Sequence, residues 1–257
     1  MARVIVVTSG KGGVGKSSTC INVGSNLALE GYKVCLIDAD LGLKNLDVIL
    51  GIESRVVFDI QDVIAGVATL NQALVRDKRI ENLYLLPACK SIDVTKINFS
   101  HLEKIIIELK KQFDFILIDS PAGIERGFYN AIRNANEAIV VVNNDVTSIR
   151  DADKVIGILH THGILDTKLI VNKVSLKKID KDINITTSDV IEVLGIPLLG
   201  VVYEDEEIIR ANNKGMPIIL NNKSIINKCY CNISKRLNGE NVRLFKGKRN
   251  IFEKMFN

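Results

Sequence analysis

The stretch Gly10-Lys11-Gly12-Gly13-Val14-Gly15-Lys16-Ser17 constrains this chain more than any other. An unbroken apolar run, Val4-Ile5-Val6-Val7, precedes it. A segment that reads as a helix, Ser18 to Glu30, follows and closes at Gly31. Strand, glycine-rich loop and helix in that order give the spacing G-x-x-x-x-G-K-[ST] a structural meaning. Glycines let the backbone curl so that successive N–H groups face a phosphate with no Cβ in the way. The helix N-terminus behind the loop adds its dipole. The expected site runs from Gly10 through Ser18. Lys16 meets the β- and γ-phosphates of a nucleoside triphosphate, and the Ser17 hydroxyl is offered to Mg²⁺.

The rest of the chain alternates between strand-like and helix-like segments. Strands are read at Lys33–Asp38, Asn82–Pro87, Phe113–Asp119, Ala138–Val142, Lys168–Asn172 and Pro197–Val202. Phe58–Ala65 and Thr69–Arg76 read as short helices joined at Gly66. Longer helices are read at Ser100–Gln112, Ser148–His160, Ser188–Leu194, Glu204–Lys214 and Ser224–Leu237, with a short one around Tyr129–Asn134. Most strands are continuous apolar runs, the pattern of a parallel sheet covered on both faces. The fold class is therefore α/β, a single doubly wound, mostly parallel sheet flanked by helices. Its ligand is expected at the carboxyl ends of the strands, where the glycine loop lies. Residues 1–238 form this domain, and residues 239–257 form a basic tail.

At 257 residues and 47% hydrophobic content, the chain has ample material for a core. No apolar run reaches the length needed to span a membrane. The first strand begins at about Arg3, so no cleaved leader is expected. The five cysteines, Cys20, Cys35, Cys89, Cys229 and Cys231, form no C-x-x-C pair. They point to a reducing compartment and away from an iron–sulfur cluster. Between Asn241 and Asn257 there are five cations and one anion, which accounts for the whole formal charge of +4. A neutral body with a basic tail suits a surface-seeking tail better than a nucleic-acid-binding domain.

Asp119 closes a strand of apolar residues and precedes Ser120-Pro121-Ala122-Gly123. A carboxylate at that edge of a P-loop fold is placed to bind Mg²⁺, often through water. Asp38 and Asp40 end the neighbouring strand. Each could also be a simple cap. The Asn172 amide, at the end of another strand, offers both a donor and an acceptor, which suits an adenine edge.

K-G-G-V-G-K-S carries a second lysine, Lys11, where the general loop pattern requires none. It resembles the deviant P-loop of the MinD/ParA group of ATPases. I-D-A-D-L-G-L-K-N-L-D, T-L-N-Q-A-L, D-S-P-A-G-I-E, R-D-A-D and R-A-N-N-K-G-M-P-I-I extend the resemblance over nearly the whole chain, to the MinD branch of that group. It implies ATP as the nucleotide, Mg²⁺ as the metal and an ATP-dependent homodimer. Lys11 would reach across that dimer to the partner's nucleotide and act with Lys16 and Asp40 in catalysis. Asp40 would orient the attacking water, Asp38 would be a further candidate for the metal, Asn172 would touch the adenine, and Glu204 and Asp205 would lie beside it. Asp151 and Asp153, on an outward helix face, could be dipole partners. By resemblance they contact MinC-like and MinE-like regulators.

The tail completes the reading. On a helical wheel, Ile251, Phe252, Met255 and Phe256 fall within about 140° of one another, with Leu244 and Phe245 on the same face. A short basic amphipathic helix of this kind lies in the interface of an anionic membrane. The resemblance then implies a slow, partner-stimulated ATPase. ATP places it on the membrane, where it recruits an inhibitor of division-ring assembly and so helps to position the septum. It would sit peripherally on the cytoplasmic face of a bacterial membrane, or in the stroma and on the inner envelope of a plastid. The alternative is a ParA-like DNA-partition ATPase. The neutral body and amphipathic tail oppose it, so no nucleic acid is expected as a partner.

Overall fold

The computed structural model describes residues 2–40, 45–89, 100–175 and 185–244. Among them, eight strands form one sheet: β1 (Arg3–Thr8), β2 (Val34–Asp38), β3 (Val75–Arg76), β4 (Leu83–Leu86), β5 (Phe115–Asp119), β6 (Glu137–Asn143), β7 (Asp166–Val174) and β8 (Leu198–Tyr203). Their spatial order is β3-β4-β2-β5-β1-β6-β7-β8. All pairings are parallel except that of β3, which runs antiparallel to β4 at one edge. The helices are α1 (Lys16–Leu29), α2 (Leu46–Ile49), α3 (Ile60–Ile64), α4 (Leu70–Ala73), α5 (Ser100–Leu109), α6 (Arg126–Ile132), α7 (Val146–Thr161), α8 (Thr187–Leu194), α9 (Glu206–Asn213) and α10 (Ile225–Leu237).

The unbroken apolar run of β1 has a direct explanation. Ile5 and Val7 join the core under α1 and α10, while Val4 and Val6 join the core on the other face. Side chains alternate across a strand, so a strand covered twice has no polar positions to spare. No helix of the described chain is long and apolar enough to cross a membrane. The five cysteines carry free thiols; Cys20, Cys35, Cys89 and Cys229 are buried and Cys231 is half-buried.

Helix starts follow local chemistry. Asp59 with Asp62, Thr69 with Gln72, and Thr186 with Asp189 form capping boxes for α3, α4 and α8. The start of α1 differs. Its N-cap is Gly15, at φ 93°, and no side chain caps it. Unclaimed N–H groups at the head of a helix form an anion site.

One segment departs from its sequence pattern. Thr69–Arg76 reads as a helix, but helix ends at Ala73, and Leu74 turns extended at ψ 119°. Val75 and Arg76 then pair with Leu85 and Tyr84 as β3. Edge pairing prevails because two β-competent residues reach an open strand, a gain no local periodicity reveals. Residues 245–257, which include Phe245, Ile251, Phe252, Met255 and Phe256, lie outside the described residues.

Candidate functional site

Register fixes the site. Val7 of β1 and Asp38 of β2 both pair with Asp119 of the intervening β5. The start of the glycine loop, Asp38 and Asp119 therefore stand side by side at the carboxyl ends of the three strands. A cleft of about 540 Å³ opens above them, bordered by Lys11, Lys16, Ser17, Asp40, Asn172 and Glu204 among others.

Three carbonyls of the loop are held by side chains. Ser9 Oγ donates to Lys11 O at 2.9 Å, Lys173 Nζ to Gly13 O at 2.7 Å, and Asn172 Nδ2 to Val14 O at 2.7 Å. In a trans peptide the N–H points opposite to its C=O. Each anchored carbonyl thus turns the next N–H, of Gly12, Val14 or Gly15, away from its anchor. Gly13 and Gly15 lie at φ 75° and 93°, which favours glycine. A Cβ on Gly15 would come 2.2 Å from Asn172 Nδ2, whereas one on Gly12 or Gly13 would meet nothing within 4 Å. The loop is thus packed on its outer side and open on the other.

Lys16 and Asp119, assigned separate partners from sequence, pair with each other: Nζ lies 2.7 Å from Oδ1, and both groups are buried. A buried ammonium requires a counter-charge, and the strand register supplies one. Burial pushes the Asp119 carboxyl up, and the Lys16 charge and hydrogen bond pull it back. Its second oxygen, Oδ2, is buried and has no hydrogen-bond partner. Gly12 and Gly13 with open space beside them, an uncapped helix head, and an orphaned carboxylate oxygen beside Ser17 together fit a phosphate chain with a hard divalent cation.

Asp38, the further metal candidate read from sequence, has both carboxylate oxygens hydrogen-bonded to backbone N–H groups. Its Oδ1 accepts from Asp40 N at 3.1 Å, and its Oδ2 accepts from Asn45 N and Leu46 N, each at 3.2 Å. It pins the start of α2. Burial and the neighbouring Asp119 push its carboxyl up to about 7, against the pull of these N–H groups. Asp40 is half-buried and borders the cleft. Burial raises its carboxyl, Lys16 lowers it, and Asp119 raises it again.

Asn172, read as an adenine contact, spends its amide N–H on the loop while also lining the cleft. Glu204 and Asp205 border the same end. The Asp205 side chain caps α9 through Glu207 N at 2.9 Å. Ser18 Oγ accepts from Asn212 Nδ2 at 2.9 Å, which ties α9 to α1. Sequence reading did not find Ser9, Lys173 or Asn212. Their one signal, polarity at an element's end, is shared with ordinary turn residues.

Lys11 is exposed. Its Nζ lies 3.0 Å from Thr147 Oγ1 and 3.7 Å from Asp145 Oδ1, at the head of α7 of the same chain. Asp153 is exposed on α7 and Asp151 is half-buried, with Lys154 Nζ 3.9 Å from the Asp151 carboxylate. The backbone of Asp151 abuts Gly10.

A glycine loop off a central parallel strand, packed on one side and open on the other, with a buried lysine–aspartate pair at its base, defines a P-loop nucleotide-binding protein. Residues 5–218 match the profile of the CobQ/CobB/MinD/ParA nucleotide binding domain. A septum site-determining protein MinD from Synechocystis sp. is 45% identical over 243 residues, covering 94% of this chain and 91% of the relative. Among solved structures, the MinC:MinD cell division complex of Aquifex aeolicus is similar at TM-score 0.89 and 42% identity, covering 95% of this chain and 99% of that one. MinD of Pyrococcus horikoshii complexed with Mg-ADP is similar at TM-score 0.82 and 31% identity, covering 92% and 96%. The chain belongs to the CobQ/CobB/MinD/ParA family of nucleotide-binding ATPases, in the septum site-determining MinD branch that acts in cell division. Both the fold class and the family read from the sequence are borne out.

Proposed function

We propose that this chain is an ATP-hydrolysing switch that attaches to the membrane in its ATP-bound dimeric form and recruits an inhibitor of division-ring assembly. The observation that carries this is the convergence of Lys11, Lys16 and Asp40 on one loop-floored cleft, with Asp119 buried against Lys16. The loop N–H groups and Lys16 hold the phosphates, and Asp40 holds the attacking water. Ser17 and Asp119 would hold Mg²⁺, which would supply a divalent charge to the phosphate oxygens. Asn172, Glu204 and Asp205 border the base. Lys11 would serve a second copy by leaving its exposed contacts with Thr147 and Asp145. The Pyrococcus horikoshii relative complexed with Mg-ADP supports nucleotide and metal, and the Aquifex aeolicus complex supports a MinC-like partner. Asp153, exposed on α7, and the half-buried Asp151 beside it would contact that partner, and a MinE-like regulator would stimulate the slow hydrolysis there. The tail, residues 239–257, anchors the dimer through Ile251, Phe252, Met255 and Phe256. Two weak anchors add by avidity.

The test is sedimentation with anionic liposomes, using the full chain and one ended at Gly239, each with ATP or ADP. The full chain is expected to pellet with ATP only, and the shortened chain with neither. A full chain that ignores liposomes but retards DNA in an ATP-dependent way would overturn the proposal in favour of a partition ATPase.

A further inference from the structure

Arg79 stands outside the cleft, between β3 and β4, yet it ties together two segments that wall it. Its Nη1 donates to Gly215 O at 2.7 Å, and its Nη2 donates to Leu50 O at 2.6 Å and to Asp77 Oδ2 at 2.7 Å. Nε completes the fork on Asp77 Oδ1 at 3.2 Å. Asp77 is buried, and its Oδ1 also accepts from the backbone N–H of Arg79 and Ile80. Burial alone would raise that carboxyl, but the Arg79 bonds and the N–H groups hold it below its ordinary value.

The two carbonyls belong to the ends of two helices. Leu50 caps α2, and Gly215 follows the cap of α9. Their backbones touch: a Cβ on Gly51 would lie 2.6 Å from Gly215 O, and one on Gly215 would lie 2.5 Å from Gly51 Cα. Each helix carries one wall of the cleft, Asn45 and Ile49 at α2, and Ile208, Ile209 and Asn212 on α9. At four residues, α2 cannot hold its place through its own hydrogen bonds. Asp38 pins its start and Arg79 pins its end.

We propose that Arg79 is a positioning residue for the nucleotide reaction, its planar fork setting the separation of the α2 wall, on the side of Asp40, from the α9 wall. The proposal rests on the nucleotide reading above. A guanidinium suits the task because it reaches two carbonyls and a carboxylate from one rigid plane. An ammonium is a point charge on a loose stem and cannot reproduce that geometry.

The experiment measures ATP and ADP dissociation constants with fluorescent nucleotide analogues for the full chain, Arg79→Ala, Arg79→Lys and Asp77→Asn. Measurements are made where far-UV circular dichroism shows each variant folded. Arg79→Ala is expected to weaken both nucleotides by about tenfold, the effect of losing charge-assisted hydrogen bonds. Arg79→Lys should recover only part of that loss. Asp77→Asn, which keeps the guanidinium but loosens its seat, should lose about threefold, and it stands in if Arg79→Ala does not fold. Wild-type affinities in a folded variant, whatever the fall in its melting temperature, would confine Arg79 to stability and overturn the proposal. A wild-type chain that binds no nucleotide would instead overturn the nucleotide reading itself, and this proposal with it.

Discussion

Gly10 lies directly against Asp151, both its backbone and its Cβ, at the root of the glycine loop. A Cβ on Gly10 would lie 2.5 Å from the Asp151 Cβ and 2.4 Å from its carbonyl carbon. The first glycine of the motif is thus required by the packing of α7 as well as by the loop. Gly10→Ala must push α7 or the loop aside, and overpacking of this kind costs about 1–3 kcal/mol. Gly12→Ala is the matched control, because a Cβ there meets nothing within 4 Å. It should stay within about 0.5 kcal/mol of wild type. Urea denaturation of both variants checks the contrast, and equal losses would show that α7 does not press on Gly10.

Lys16 and Asp119 should behave as one unit. Removing one member of a buried pair leaves the other uncompensated, and the expected cost of Lys16→Met is about 3 kcal/mol. Asp119→Asn alone strands the ammonium. In the double variant Lys16→Met/Asp119→Asn neither charge remains, so its loss should fall short of the sum of the single losses by about 1 kcal/mol or more. Additive losses in urea denaturation would mean that the 2.7 Å contact carries no coupling.

The sequence made the sheet and the loop legible because both are written in local patterns. Val4–Val7 is apolar at every position because both faces of β1 are covered, and the loop's glycines announce themselves by type. What stayed hidden depends on contacts far apart in the chain. Asn172 and Lys173 hold loop carbonyls 158 and 160 residues away, and Asn212 reaches Ser18 across 194. Asp38 looks in sequence like an acid at a strand end, equally fit for a metal or a cap. Only the fold brings Asn45 N and Leu46 N to it. The short β3 escaped for a different reason: its partner β4 is close in sequence, but two residues are too few to show a strand period.

Asp77 makes stability depend on acid. Its carboxyl is held below the usual value in the folded chain, against the pull of burial, by Arg79 and by backbone N–H groups. The unfolded chain therefore takes up this proton first. The contribution of Asp77 is present above the ordinary aspartate value of about 4 and is lost as the pH falls through the lower folded value. Between pH 5 and pH 3, wild type should lose melting temperature more steeply than Asp77→Asn, which has no proton to gain at this position. Parallel pH profiles would remove Asp77 from the account.

Lys11 should separate binding from turnover. Its ammonium is exposed and rests on Thr147 and Asp145 at the head of α7, so its loss leaves no buried charge unpaired. An exposed pair of this kind contributes about 0–1 kcal/mol, and Lys11→Ala should fold and melt much as wild type does. The buried Lys16 and the anchored carbonyls of Gly13 and Val14 remain, so nucleotide should still bind. What goes is the cation that a second copy would use. Hydrolysis and ATP-dependent sedimentation with anionic liposomes should both fall to background, while binding of a fluorescent ATP analogue persists. Unchanged hydrolysis in Lys11→Ala would show that this lysine serves neither the reaction nor the dimer.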